Sequence, residues 1–319
     1  MNPSIDISNG NLQAGNLQAV PHPLDHQCGQ YASVFEQSGS ISEKLDAAST
    51  IVELMSATVS IEEIRSCPRP HGFTLFHLIP MAKKVDETVK SALFERLMAD
   101  AEMCTLVDQP DESINVERLW LEVNQRKIPL ANGDRPVHVA VFAGSKEDVV
   151  RQLQALKQQG LKDCHPNSTG NNLFNIAASK SLELFNLVFD FYRSHEKFGE
   201  YITHRTNCLV TPTHHACRST NADKLKVLAR LLVAGAEHSL GQVDNRGMTP
   251  LDHLELDLER YSQLVSLVEQ EPQLLHVPEH ARDERLHAVK QALSSAFNDA
   301  NKNKKMLASL AHGQKEIIP

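Results

Sequence analysis

The stretch from Thr211 to Ala236 reads TPTHHACRSTNADKLKVLARLLVAGA, and it predicts two short helices joined by a turn. Thr211 is a preferred N-cap residue, and Pro212 takes the first helical position, where its missing N–H costs nothing. Leucines recur every three or four residues in the second half, which is typical of an amphipathic helix. Gly235 then follows as a residue that tolerates a positive φ, so we expect the second helix to end there.

The same pattern recurs along the chain. The positions equivalent to His214 are 77, 138, 175, 214 and 252, so successive intervals are 61, 37, 39 and 38 residues. The pattern resembles the ankyrin repeat, T-P-L-H-x-A followed by a leucine-rich helix that ends L-L-x-x-G-A. Leu231-Leu232-Val-Ala-Gly235-Ala236 matches this ending. The intervals exceed the roughly 33 residues of the family, which predicts divergent copies with longer loops or helices.

This resemblance implies an all-α fold, an ankyrin-like helical repeat solenoid with N- and C-terminal helical caps. The predicted divisions are a flexible polar N-terminal arm (1–38), an N-terminal helical cap (39–69), the repeats (70–271) and a C-terminal helical cap with a tail (272–319). The long first interval indicates an insertion, placed at 111–128 and predicted to be a capped helix that carries Trp120, the single tryptophan.

Composition excludes several classes of protein. The formal charge is -8 and no basic stripe occurs, so nucleic acid is not an expected partner. Six cysteines without a C-x-x-C pair favour reduced thiols in a cytosolic setting. No apolar run approaches the roughly 18 residues of a membrane span, and the N-terminus has no Sec-type pattern. The expected location is the cytoplasm, or a host cell reached without a Sec-type signal peptide.

The function that the resemblance implies is binding of another protein through the concave groove and the loop tips. The polar N-terminus and the pair Ile317-Ile318 also resemble the export signals of bacterial effectors, which points to a host protein as the partner. We expect a monomer without a cofactor or a metal.

Candidate partner-binding residues follow from the repeat positions. Arginine is favoured because its planar fork makes paired hydrogen bonds, and tryptophan is common at interface hot spots. The candidates on the inter-repeat loops are Arg205, Asn207, Asn245 and Arg246. Two more, His215 and Arg218, lie on the inward side of a first helix, and Trp120 lies on the insertion. We expect that the core needs none of the loop and helix candidates. Trp120 alternatively braces two repeats as a buried residue.

A second hypothesis is a cysteine-dependent enzyme that uses the repeats for substrate docking. Cys28 is followed by Gly29, as in papain-like hydrolases that place the nucleophile at a helix start. His138 would then be the base. That fold needs a sheet to carry the histidine, whereas the repeat pattern puts His138 on a helix, so we favour a protein without catalytic activity.

A zinc site is the third hypothesis. Cys208, His214, His215 and Cys217 are soft ligands that lie close in the sequence. They lack the two paired doublets of zinc fingers, and the repeat pattern assigns His214 to the turn above its helix. We therefore predict no metal site.

Overall fold

The computed structural model describes residues 41–56, 59–67, 73–111, 120–123, 126–129, 133–143, 145–161, 163–254, 257–274 and 279–315. The predicted N-terminal arm, including Cys28, lies outside these ranges. The fold is all-α, as predicted, with one small β-hairpin. Its helices are α1 Ile41–Ser56, α2 Ile61–Ser66, α3 Leu75–Met81, α4 Glu87–Ala99, α5 Pro136–Ala143, α6 Lys146–Gln158, α7 Leu173–Ala178, α8 Leu182–Tyr192, α9 Phe198–Thr203, α10 Pro212–Arg218, α11 Lys224–Leu231, α12 Pro250–Leu254, α13 Leu258–Leu274 and α14 Glu279–Lys315.

Most of these helices lie in two rows. The short first helices α3, α5, α7, α10 and α12 each pack against the next one in that order, and α6, α8, α11 and α13 do the same beside them. At one end α1 packs on α3 and α4, while at the other end α14 packs on α13. The chain therefore forms a stack of helical hairpins with an additional helix at each end.

The first helices begin with one shared cap. In each hairpin the side chain three residues into the helix accepts a hydrogen bond from the backbone N–H of the N-cap residue, which satisfies a donor that the helix leaves open. The pairs and distances are Thr74 with His77 (3.0 Å), Arg135 with His138 (3.0 Å), Asn172 with Asn175 (3.1 Å), Thr211 with His214 (3.2 Å) and Thr249 with Asp252 (2.8 Å).

Two of these capping histidines also link successive hairpins. The Nε2 of His77 lies 2.9 Å from the carbonyl oxygen of Asp134, and that of His214 lies 3.2 Å from the carbonyl oxygen of Met248. A neutral ring donates from Nε2 and accepts at Nδ1, so it serves both contacts. The Asp252 carboxylate can accept the hydrogen bond of the cap but has no proton to donate to a following loop. No such donor is needed here, because the described residues after α12 form α13 and α14 instead of another such loop.

Gly235 takes the positive φ that the sequence predicts. Helix α11 continues into a wider turn over Leu232–Ala236, and Gly235 within it has φ 126°. A residue with a β-carbon rarely adopts this value, so glycine ends the regular helix here.

The predicted helix in the insertion is wrong over its second half. Trp120–Val123 (β1) pairs antiparallel with Arg126–Pro129 (β2), and Trp120 lies opposite Pro129. Trp120, Val123 and Ile128 are of residue types that favour a strand, and pairing of the two strands outweighs the helical spacing in this short segment. Residues 112–119 of the predicted helix lie outside the described ranges.

Candidate protein-binding surface

Three loops that precede first helices contain the same five-residue turn. We name them turn A (Asn167–Asn171), turn B (Thr206–Val210) and turn C (Asp244–Met248). In each, the first backbone N–H donates to the fifth carbonyl oxygen, at 2.9, 2.9 and 3.0 Å. The fourth N–H donates to the first carbonyl oxygen, at 2.9, 2.8 and 3.0 Å. The side chain of the first residue accepts from the fifth N–H, at 2.9, 3.1 and 3.1 Å.

This turn requires a left-handed backbone at its fourth residue. Gly170 has φ 79° in turn A and Gly247 has φ 75° in turn C. In turn B the position is Leu209, with φ 61°, which is the only positive φ of a non-glycine residue in the described part of the chain. Turn B therefore carries a side chain at a position that is bare in the other two turns.

Adjacent turns are joined edge to edge by backbone hydrogen bonds. The N–H of Asn207 donates to the carbonyl oxygen of Thr169 at 3.2 Å, and the N–H of Asn245 donates to that of Cys208 at 3.1 Å. A side-chain bond from the guanidinium of Arg205 to the carbonyl oxygen of Val243, 2.9 Å long, adds a second link between turns B and C. Turns A, B and C thus form one continuous surface.

Four of the predicted binding residues lie on this surface. Arg205 and Asn207 lie at turn B and Asn245 and Arg246 in turn C, and all four are exposed. Their loop positions agree with the sequence analysis. The structure adds the backbone hydrogen bonds that join the loops on which these residues lie.

Three exposed residues on the same surface were not among the predicted binding residues. Cys208 and Leu209 lie in turn B and Val243 directly precedes turn C, with Leu209 42% and Val243 44% exposed. One signal was available for Leu209. It lies two residues before the N-cap, the position that Gly170 and Gly247 occupy in the sequences of turns A and C.

Arg218, predicted to be an unneeded inward residue, instead holds the base of turn C. Its guanidinium forms an ion pair with the carboxylate of Asp244 and lies 2.9 Å from Nε2 of His253. The Asp244 side chain is fully buried, so the expectation that Arg218 is dispensable for the interior is wrong. The two partners are 26 residues apart, and no local pattern indicates such a pair.

Asp244 is strongly held as an anion. Burial by itself raises the pKa of this carboxyl, but it accepts from the backbone N–H of Met248, from His253 and from the N–H of Arg246 beside the charge of Arg218. These interactions outweigh burial and lower its pKa to about 2. Turn C is thus stabilised by a charged group.

His215, a predicted binding residue on a first helix, is a poor candidate for contact with a partner. The residue is half-buried, and its Nε2 is buried without a hydrogen-bond partner among the described residues. Burial, with the charge of Arg218, lowers the pKa of the ring to about 4, so the ring is neutral at pH 7. His215 therefore contributes packing on α10 and little to the exposed surface.

The other predicted chemistry finds no support in the geometry. Nδ1 of His138 accepts from the backbone of Arg135 on helix α5, and burial lowers the pKa of the ring to about 3, far from that of a base at neutral pH. Its suggested partner Cys28 is outside the described ranges. Among the described residues, no three His, Cys, Asp or Glu side chains group as metal ligands. No described helix combines the length and apolar character of a membrane span.

Comparison with known proteins adds no relative. The chain matches no protein-family model, and no curated protein matches it. The likeness to ankyrin repeats accordingly rests on the residues quoted above.

Proposed function

We propose that this chain is an ankyrin-like protein-binding module and that turns A, B and C are its binding surface. The observation that carries the proposal is the edge-to-edge joining of the three turns by backbone hydrogen bonds, with exposed side chains along them. A rigid backbone that presents varied side chains loses little conformational entropy on binding, which favours recognition of another macromolecule.

The composition of the surface supports a protein as the partner. It combines the guanidinium groups of Arg205 and Arg246, the amides of Asn207 and Asn245, and apolar side chains. Arginine with apolar neighbours is typical of interface hot spots, and amides serve adaptable hydrogen bonds. An enzyme active site would instead need an acid, a base or a nucleophile in contact.

We further propose that the partner is a host protein reached by export of this chain. The support is the polar composition of residues 1–38 and the Ile317-Ile318 pair near the C-terminus. A translocation reporter fused to the full chain tests the export step. Signal in the host cell that is lost without these two segments supports it, whereas no translocation from a secretion-competent strain contradicts it.

The binding surface is tested by charge reversal with a matched control. The test variant is Arg205→Glu with Arg246→Glu, and the control is Arg193→Glu with Arg260→Glu, two exposed arginines outside the turns. Both variants change the net charge equally. We expect proteins captured from lysate by the wild-type chain to be lost with the test variant and retained by the control, with unchanged helicity by circular dichroism. Equal capture by both variants would refute the turns as the binding surface.

A further inference from the structure

Leu209 holds a conformation that its own chemistry disfavours. Its φ of 61° is imposed by turn B, whose two closing backbone bonds match those of turns A and C. A bulky L-residue in this region is strained because its β-carbon crowds the backbone, and such strain concentrates at functional sites. Turns A and C avoid the strain with glycine.

The Leu209 side chain is 42% exposed, so it gains only part of the benefit of burial. A second exposed apolar side chain, Val243, lies on the loop bonded to turn B, where its carbonyl accepts from Arg205. We name these two exposed apolar residues on joined loops the apolar tip, and strain at an exposed position points to a role in binding.

The exposed charges of the two segments that carry this tip have one sign. Arg205 and Arg246 are exposed beside it. Asp244 is the sole acidic residue in the segments 205–210 and 243–248, and it is buried and paired with Arg218. A ligand of this tip would therefore meet apolar surface flanked by two guanidinium groups, which attract carboxylates.

We propose that Leu209 is an anchor residue for an acidic, apolar segment of a partner protein, whose carboxylates bind Arg205 and Arg246. This rests on the proposed function and names the chemistry of its partner. The strained backbone of turn B keeps the leucine side chain directed outward before binding, so the partner does not have to order it.

The test uses a displayed library of random 16-residue peptides selected on the full-length wild-type chain, and then measures the affinity of the selected peptides for variants. Leu209→Gly removes the anchor and allows the same φ as Gly170 and Gly247. Leu161→Gly is the matched control, since Leu161 is an exposed leucine outside the turns. We expect enrichment of Asp, Glu and large apolar residues, and binding to Leu209→Gly weakened about tenfold through loss of the apolar contact that the leucine side chain makes.

Each of the following results would contradict the proposed role of Leu209 as an anchor. Peptides that bind Leu209→Gly as well as wild type but fail on Arg205→Glu with Arg246→Glu leave the turn surface standing and remove Leu209 from it. Peptides that bind every variant place recognition elsewhere and contradict the proposed function too. Failure to enrich acidic and apolar sequences contradicts the partner chemistry. A wild-type dimer that Leu209→Gly converts to a monomer in light scattering would assign the tip to a second copy of this chain.

Discussion

Turns B and C have the same backbone hydrogen bonds and opposite chemistry. Turn B begins with Thr206, carries the strained Leu209, and its last carbonyl lies 3.5 Å from the amide nitrogen of Asn175. Turn C begins with the buried anion Asp244, carries a glycine, and its last carbonyl accepts from His214. The same backbone hydrogen bonds thus form with different side chains, and these side chains decide whether a turn is held by charge or by neutral groups.

The largest difference is expected at the first residue of each turn. Asp244→Ala should lower the free energy of unfolding by about 3–5 kcal/mol, because it leaves Arg218 and His253 without their buried partner. Thr206→Ala removes one hydroxyl acceptor and should cost about 1 kcal/mol. Urea unfolding followed by circular dichroism measures both. Equal losses would show that charge does not distinguish the turns.

The second largest difference is expected at the fourth residue of turns A and C, which is a glycine in both. A β-carbon at Gly170 would lie 2.7 Å from the backbone nitrogen of Asn207, whereas one at Gly247 meets nothing within 4 Å. Gly170→Ala should therefore cost about 2–3 kcal/mol in unfolding free energy, and Gly247→Ala about 1 kcal/mol from backbone strain alone. Thermal unfolding of the two variants decides it. A milder effect at Gly170 than at Gly247 would contradict the close contact between turns A and B.

Acid should weaken turn C more than turn B. Burial lowers the pKa of His214 to about 4 from the usual 6.5. The unfolded chain binds this proton first, so stability is lost as pH falls from 6.5 towards 4, by about 1.4 kcal/mol per pH unit for one proton. Urea unfolding at several pH values measures the slope. His214→Asn should lower this slope by the contribution of one proton, since asparagine does not titrate.

The reciprocal exchange is the control for this pH dependence. Asn175→His should add a similar slope at turn B, where the wild type has no titrating group in that position. Burial raises the pKa of Asp134 to about 6, so this residue contributes a pH dependence of stability opposite in sign to that of the histidines. The contribution is the same in the wild type and in both variants, and it cancels when their slopes are compared. An unchanged slope in both variants would refute the role of the His214 ring.

The smallest effect is expected from Leu209→Gly. Relief of the positive φ gains about 1–2 kcal/mol, and the added freedom of glycine in the unfolded chain returns about 0.5–1 kcal/mol of it. We expect a rise in unfolding free energy of about 0.5 kcal/mol, seen as a small increase in melting temperature. A loss above about 1 kcal/mol would show that the Leu209 side chain packs usefully, which would weaken its assignment as an anchor.

Signals that act over one turn of helix were sufficient for much of the fold. The cap at Thr211, the leucine spacing of α11 and the positive φ of Gly235 were all predicted from neighbouring residues, as was the loop position of Arg205 and Arg246. These features depend on backbone sterics and on donors satisfied a few residues away, so the sequence alone determines them.

Other features depend on contacts between residues that are distant in the sequence. Trp120 lies in a strand because its segment found a pairing partner, which its helical spacing did not indicate. Arg218 forms an ion pair with Asp244, 26 residues away. Turn C is bonded to turn B by the hydrogen bond from Asn245 to Cys208, which are 37 residues apart. Such contacts form when stacked hairpins bring distant residues together, and the free energy of a pair then depends on burial and neighbouring charges that no local pattern carries.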